Sequence, residues 1–221
     1  GSSLPVPDGV DMDVAVCCPV QALTAHYLTS DAHAGLIKPG EWMLIHGVGG
    51  GTCQWAAQMA RLKGYKVIGT AAKGKADVAK ATKCDELILL DETPGTAYED
   101  YTSVDIVAKV MEATGGEGVK AVIDGIGLAT WEISLNSLGR RGIFVSFGNA
   151  SGTVPAFEPL KLIGKSLFMT RPKLLDYVEK QMIIDYHLRG DQSRLEEEFP
   201  DIAKKAKKFL GYERYFELSL N

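Results

Sequence analysis

The residues with the clearest chemical use begin at Trp42. Trp42-Met43-Leu44-Ile45-His46 has the apolar run of a buried strand and passes directly into Gly47-Val48-Gly49-Gly50-Gly51-Thr52-Cys53, after which Gln54-Trp55-Ala56-Ala57-Gln58-Met59-Ala60 reads as a helix. A strand, a glycine-rich turn and a helix in that order leave main-chain N–H groups free at a helix N-terminus, where the peptide dipoles favour an anion. Glycines let the backbone turn tightly and approach a diphosphate closely, which is the chemistry of dinucleotide binding. A flexible glycine loop without a ligand is the plain alternative. The fingerprint is also incomplete, because no register places glycine at all three required positions: counted from Gly47 the third falls on Thr52, and counted from Gly49 it falls on Gln54.

Which dinucleotide is decided at the end of the second strand, about 20 residues past the glycines, where an acidic residue would hold the ribose hydroxyls of NAD. That strand ends Ile68-Gly69-Thr70-Ala71-Ala72 and is followed by Lys73 and Lys75. Small residues leave room for a 2′-phosphate and lysines supply its countercharge, so NADPH is expected. The alternative for Lys73 and Lys75 is ordinary solubility at a helix start, where cations oppose the dipole.

The elements that would position these groups recur along the chain. Trp42 to His46, Tyr65 to Thr70, Glu86 to Leu90, Val119 to Asp124 and Gly142 to Phe147 read as short apolar strands separated by helix-length segments, with Ser166 to Thr170 as a sixth. Strands alternating with helices imply an α/β fold with a parallel sheet covered on both faces. The spacing predicts a doubly wound Rossmann sheet of order 3-2-1-4-5-6 with flanking helices. Residues 1–10 are expected to be an extended lead-in, with Gly1-Ser2-Ser3 expected to be a cloning remnant, and Asp13 to Thr29 a helix. Residues 11–172 are expected to form the NADPH-binding domain, and 173–221 a helical tail with Leu174, Val178, Met182 and Ile183 on one face.

Composition excludes several other classes. The chain has 221 residues, 46% of them apolar, and a net charge of −4, which argues against a nucleic-acid surface. Lys204, Lys205, Lys207 and Lys208 are offset by Glu196, Glu197 and Glu198 and read as a solvated helix face. No run is long and apolar enough to span a membrane. Cys17, Cys18, Cys53 and Cys84 form no CxxC pair, so neither a zinc site nor a disulfide framework is expected, and buried thiols in a reducing cytoplasm fit best. His26, His33, His46 and His187 lack carboxylate or metal partners at useful spacing and are not expected to be catalytic.

The ordered motifs Leu4-Pro5 with Pro7-Asp8-Gly9, Ala22-Leu23-Thr24-Ala25, Lys38-Pro39-Gly40-Glu41, the glycine turn, Thr130-Trp131-Glu132 with Ser134-Leu135, Arg140-Arg141-Gly142, Phe147-Gly148-Asn149 with Ser151-Gly152, and Thr170-Arg171-Pro172 resemble those of one family. That family is the zinc-free quinone oxidoreductases, or zeta-crystallin-like proteins, of the medium-chain dehydrogenase/reductase superfamily. The resemblance puts the family's AxxGxxG turn on Gly47, Gly50 and Cys53, with Cys53 replacing its last glycine. It implies diphosphate contacts from Gly50, Gly51 and Thr52, and a 2′-phosphate contact from Lys75. Thr24, Ile126, Phe147, Gly148 and Asn149 would surround the nicotinamide and its ribose, many through backbone atoms; for Phe147 a strand-end core position is the alternative. Leu90 stands where a family tyrosine nears the adenosine, and Val20 where zinc-dependent relatives carry a metal-binding cysteine, so no metal is implied.

Full-length members of the family begin with a separate substrate domain, and this chain is expected to be the cofactor-binding part. The resemblance implies hydride transfer from NADPH to a quinone or conjugated carbonyl, with no catalytic side chain among these residues because a quinone collects protons from solvent. An enoyl or alkenal reductase, and a crystallin-like NADPH binder without turnover, are the alternatives. The resemblance also implies pairing of two copies through the strand at 166–170, which would cover Leu167, Phe168 and Met169 if they lie on an open edge.

Overall fold

The computed structural model describes residues 6, 8–9, 11–91 and 101–177. They divide at Pro172/Lys173 into two units. The first is built on a six-stranded, all-parallel sheet of order β3-β2-β1-β4-β5-β6, as the alternating pattern predicts.

Ahead of the sheet, α1 (Met12–Cys17) and α2 (Leu23–Leu28) are separated by a π-helical turn over Cys18–Ala22. One continuous helix was the expectation; Pro19 lacks an N–H and cannot continue the ladder, which accounts for the break. The sheet then runs through β1 (Trp42–Ile45), α3 (Gly51–Leu62), β2 (Lys66–Ala72), a 3-10 turn over Lys73–Lys75, α4 (Ala76–Ala81) and β3 (Glu86–Leu90). Its second half consists of α5 (Ile106–Ala113), β4 (Val119–Asp124), α6 (Trp131–Ser137), β5 (Leu138–Ser146), a 3-10 turn over Pro159–Lys165 and β6 (Phe168–Thr170).

The core sits where helices close on the two sheet faces. Leu44, Ile68, Val122, Phe144 and Leu138 are fully buried in one cluster with Val110 of α5 and Leu135 of α6. The buried face of α3 is small, with Ala56, Ala57 and Ala60 at no exposure, so this helix approaches the strands closely. Asp105 caps α5 by accepting the Ala108 N–H at 2.9 Å, a contact worth about 1 kcal/mol.

Strand β5 starts earlier than its apolar residues suggest. It pairs from Leu138, but its register against β4 slips between Leu138 and Ile143, and Arg141 takes a left-handed φ of 58° in the irregularity. At the other edge β6 starts only at Phe168, because Ser166 caps the preceding 3-10 turn with a φ of 52°. Of the second unit only Lys173–Tyr177 is described; Asp176 and Tyr177 donate main-chain hydrogen bonds to Lys173 and Leu174 in a first helical turn. The expected helix face at Val178, Met182 and Ile183, the basic stretch at 204–208 and most of the lead-in lie outside the described residues.

Candidate functional site

The sheet order reverses between β1 and β4, and the carboxyl ends of the strands on either side of that reversal carry the candidate residues. At the end of β1 the chain turns on Gly47, whose φ of 75° is left-handed and suits glycine. The turn is anchored to β2: Val48 N–H donates to the Thr70 carbonyl at 2.8 Å and Gly47 N–H to Thr70 Oγ1 at 3.2 Å. Gly50 is the extended N-cap of α3, and Gln54 N–H to the Gly50 carbonyl, at 2.9 Å, is the first bond of its ladder. The amides of Gly51, Thr52 and Cys53 precede that bond and sit at the positive end of the helix dipole.

Two glycines are required by what approaches them. A methyl group on Gly49 would lie 2.7 Å from Lys75 Cβ, so the 3-10 turn after β2 rests on the glycine turn and brings Lys75 to it. A methyl on Gly51 would collide with the side-chain amide of Gln21, which lies over the start of α3. Lys75 was singled out in the sequence; Gln21 was not, and nothing in the sequence around it marks it.

On the far side of the switch point, Asp124 ends β4 with no exposure and organises the next turn. Its Oδ1 accepts from Ile126 N (2.8 Å), Gly127 N (3.1 Å) and Thr130 Oγ1 (3.0 Å), and its Oδ2 from Thr130 Oγ1 (2.8 Å) and Ser134 Oγ (2.7 Å). The turn carries Ile126 to the glycine turn, where its Cδ1 would be 3.6 Å from a methyl on Gly47. The segment after β5 is fastened to it: Phe147 N–H donates to the Asp124 carbonyl, Ala150 N–H to that of Gly125 and Ser151 N–H to that of Ile126, at 2.8, 3.1 and 2.8 Å. The Phe147 ring covers Gly125, where a methyl would be 2.7 Å from Cζ.

Gly50, Gly51, Thr52, Lys75, Ile126, Phe147, Gly148 and Asn149 therefore gather along one edge of the sheet. Thr24 is buried on α2, which packs against α3, and makes no hydrogen bond to the other groups among the described residues. Leu90 is buried in the core cluster, and Val20 is 65% exposed. Sequence reasoning missed Asp124, although an aspartate at a strand end followed by Gly125-Ile126-Gly127 is a recognisable turn signal.

Cys53 lies beneath the glycine turn, and burial, with a smaller push from Asp124, raises its thiol to about 12. It is inert as a nucleophile in the fold. His46 is fully buried with Nδ1 3.2 Å from Thr70 Oγ1. Among the described residues no group of three or more His, Cys, Asp or Glu side chains could hold a metal ion, and no helix is long and apolar enough to cross a membrane.

Burial lowers the pKa of His46, His33 and His26 from 6.5; Lys63 adds to the effect at His26 and His33, while Asp124 opposes it at His46 and Asp31 at the other two. Each ring takes up its proton at a lower pH in the fold than in the unfolded chain. Stability is therefore full above about pH 7 and falls on acidification by up to about 1.4 kcal/mol per unit for each ring. Urea unfolding at about pH 7.5 and about pH 5.5 reads the difference, and equal midpoints at the two would contradict this assignment.

Comparison with known proteins places this geometry. Residues 51–175 match the model of the family described as zinc-binding dehydrogenase. The quinone oxidoreductase of Salmonella typhimurium is 37% identical over 174 residues, covering 78% of this chain and 50% of that protein. The 2-haloacrylate reductase of a Burkholderia species is 34% identical over 185 residues, covering 81% of this chain and 52% of its own length. The structure of an Escherichia coli quinone oxidoreductase complexed with NADPH superposes with a TM-score of 0.68 at 31% identity, covering 93% of this chain and 54% of that one. The chain spans about half the length of the curated relatives it matches. It belongs to the zinc-binding dehydrogenase family, and within the medium-chain dehydrogenase/reductase superfamily it corresponds to the C-terminal half of the quinone oxidoreductases.

Proposed function

We propose that this chain is the cofactor-binding half of an NADPH-dependent quinone oxidoreductase. The observation that carries the proposal is the convergence of the first α3 amides, Lys75, Ile126 and Phe147 along the carboxyl edge of the sheet. The donors suit the ligand: a diphosphate needs main-chain amides it can approach closely, and Gly50 and Gly51 carry no Cβ of their own, while the Gln21 amide that lies over Gly51 has to move aside as the diphosphate enters. A 2′-phosphate needs a cation near the end of β2 and no carboxylate there, which Lys75 and Ala71-Ala72 provide.

In the bound state the nicotinamide supplies a hydride. Gly50, Gly51 and Thr52 hold the diphosphate through their N–H groups, and Lys75 pairs with the 2′-phosphate. Ile126 and Phe147 form the apolar wall on the nicotinamide side, which keeps water from the reacting carbon, while Gly148 and Asn149 offer backbone groups to the ribose. Thr24 is assigned to the same end by the family resemblance. The family resemblance implies no general acid among these residues, because a reduced quinone takes its protons from water, and it implies no metal.

The relatives' printed names support this reading, two being quinone oxidoreductases. The 2-haloacrylate reductase supports an enone or alkenoate acceptor as the second reading. Titrating the chain with NADPH and NADH tests the cofactor, with saturable and tighter binding of NADPH expected. Adding the half of the relatives that this chain does not span should then give quinone-dependent NADPH oxidation. Retention of NADPH without any turnover would instead favour a crystallin-like binder.

The same reading includes a homodimer and a cytoplasmic location, the latter in keeping with free thiols at Cys53 and Cys84. Strand β6 is an edge with Phe168 42% and Met169 36% exposed, beside a half-buried Leu167. Pairing of two such edges would hide them. Light scattering is expected to show a dimer that Phe168→Glu converts to monomer; a monomeric parent at high concentration would contradict it.

A further inference from the structure

Beside Phe147-Gly148-Asn149 lies an open cleft of about 470 Å³ between the end of β5 and the end of β6. Its walls are mostly apolar, with Val154, Pro155, Ala156, Phe157 and Met169, and among the described residues that line it the one charged side chain is Arg171. Phe157 is held in place by stacking on Trp131, ring centroids 5.4 Å apart, and Lys161 lies over the other partner of that stack at 4.6 Å from the Trp131 centroid. One wall of the cleft is thus preformed.

Arg171 is only partly used by the fold. Its Nη1 donates to the Ser146 carbonyl at 3.1 Å, to Ser146 Oγ at 2.9 Å and to the Gly148 carbonyl at 2.9 Å. These bonds fix the guanidinium plane at the cleft's edge. Among the described residues Nε and Nη2 have no acceptor, and no carboxylate pairs with the cation. An anchored guanidinium with two donors to spare, at the rim of an apolar cleft, suits a flat apolar molecule that carries an anionic oxygen.

We propose that this cleft binds the acceptor, and that Arg171 is a specificity-determining residue selecting conjugated acceptors with a carboxylate or an ionised hydroxyl group. The proposal rests on the reading of this chain as a dinucleotide-dependent reductase, since it places the acceptor next to the segment assigned to the nicotinamide.

The test uses two redox-inert probes on the full chain, 1-naphthoate and the neutral 1-naphthalenemethanol, with affinities from NMR titration. The anion should bind roughly tenfold or more tightly than the alcohol, the worth of one charge-assisted contact. Arg171→Met should bring the two affinities together, Arg171→Lys should keep part of the difference, and Ala156→Trp, which fills the cleft from an exposed position without touching the Arg171 bonds, should remove both probes. Equal affinities in the parent chain, or no binding of either probe, would overturn the proposal. So would an Arg171→Met variant that weakens both probes alike, since that is the effect of a merely structural anchor. NADPH titration of the same samples separates the two readings: loss of the naphthoate preference with NADPH still bound sinks this proposal alone. Absence of NADPH binding with the preference intact sinks the cofactor assignment and leaves an anion-selective cleft.

Discussion

Asp124→Ala is expected to destabilise the chain by about 3–5 kcal/mol, the upper range for a single buried substitution. The carboxylate is wholly buried and accepts from two main-chain amides and two hydroxyls, all within 3.1 Å. An ionised carboxylate is acceptor-only, so four donors that face one group lose their partner together, three of them on the buried residues Gly127, Thr130 and Ser134. Asp124→Asn keeps the shape but turns an amide donor toward hydroxyls and N–H groups, and should cost about 1–3 kcal/mol. The consequence extends past stability. The turn that Asp124 holds presents Ile126 to the glycine turn and is bonded to Ala150 and Ser151, so both loops proposed for the nicotinamide side depend on it. Urea unfolding checks the first effect and NADPH affinity the second. A loss under about 1 kcal/mol on Asp124→Ala would mean that the turn is held by its other bonds.

The second large effect is on cofactor choice. Lys75→Ala should weaken NADPH by roughly 10-fold to 100-fold, which corresponds to a charge-assisted hydrogen bond of about 1.5–3 kcal/mol. NADH should be nearly unaffected, because it has no phosphate at that end. Lys75 is exposed, so the effect should shrink as salt is added. Its position follows from packing and not only from charge: the 3-10 turn that carries it rests on Gly49 with no room for a methyl group. Gly49→Ala should therefore shift Lys75 and erode the same preference without removing the cation. Side-by-side titrations distinguish the outcomes. If Lys75→Ala weakens both cofactors equally, the lysine supports the glycine turn and reads no phosphate.

The order of the sheet was legible because period and punctuation agree. Each apolar run of five or six residues is set off from the next by a helix-length segment, and right-handed crossovers restrict such strands to a few doubly wound orders, of which 3-2-1-4-5-6 is the one that goes with a dinucleotide turn. The glycine turn was legible for the same reason, standing between a strand and a helix. Other features depend on contacts that local pattern does not contain. Asp124 looks like a surface-facing strand terminus until Thr130 and Ser134 fold back on it. Gln21 belongs to a segment whose helix is broken at Pro19, and only the packing of that segment against α3 brings its amide over Gly51. Arg171 was visible in Thr170-Arg171-Pro172, but its spare donors follow from the Ser146 and Gly148 carbonyls it meets across the strand ends. The slip in β5 was hidden because Arg140 and Arg141 look like a loop, whereas they sit in an irregularity between two positions, Leu138 and Ile143, that both pair with β4.

The central claim is that the main-chain amides opening α3 hold the diphosphate of a nicotinamide dinucleotide. The most direct measurement is a backbone-amide NMR titration with NADPH. Saturable binding is predicted, with the largest shifts at Gly50, Gly51, Thr52 and Cys53 and smaller ones at Lys75 and Phe147. Saturation that leaves those four amides unmoved, or no saturation at all, would contradict the account.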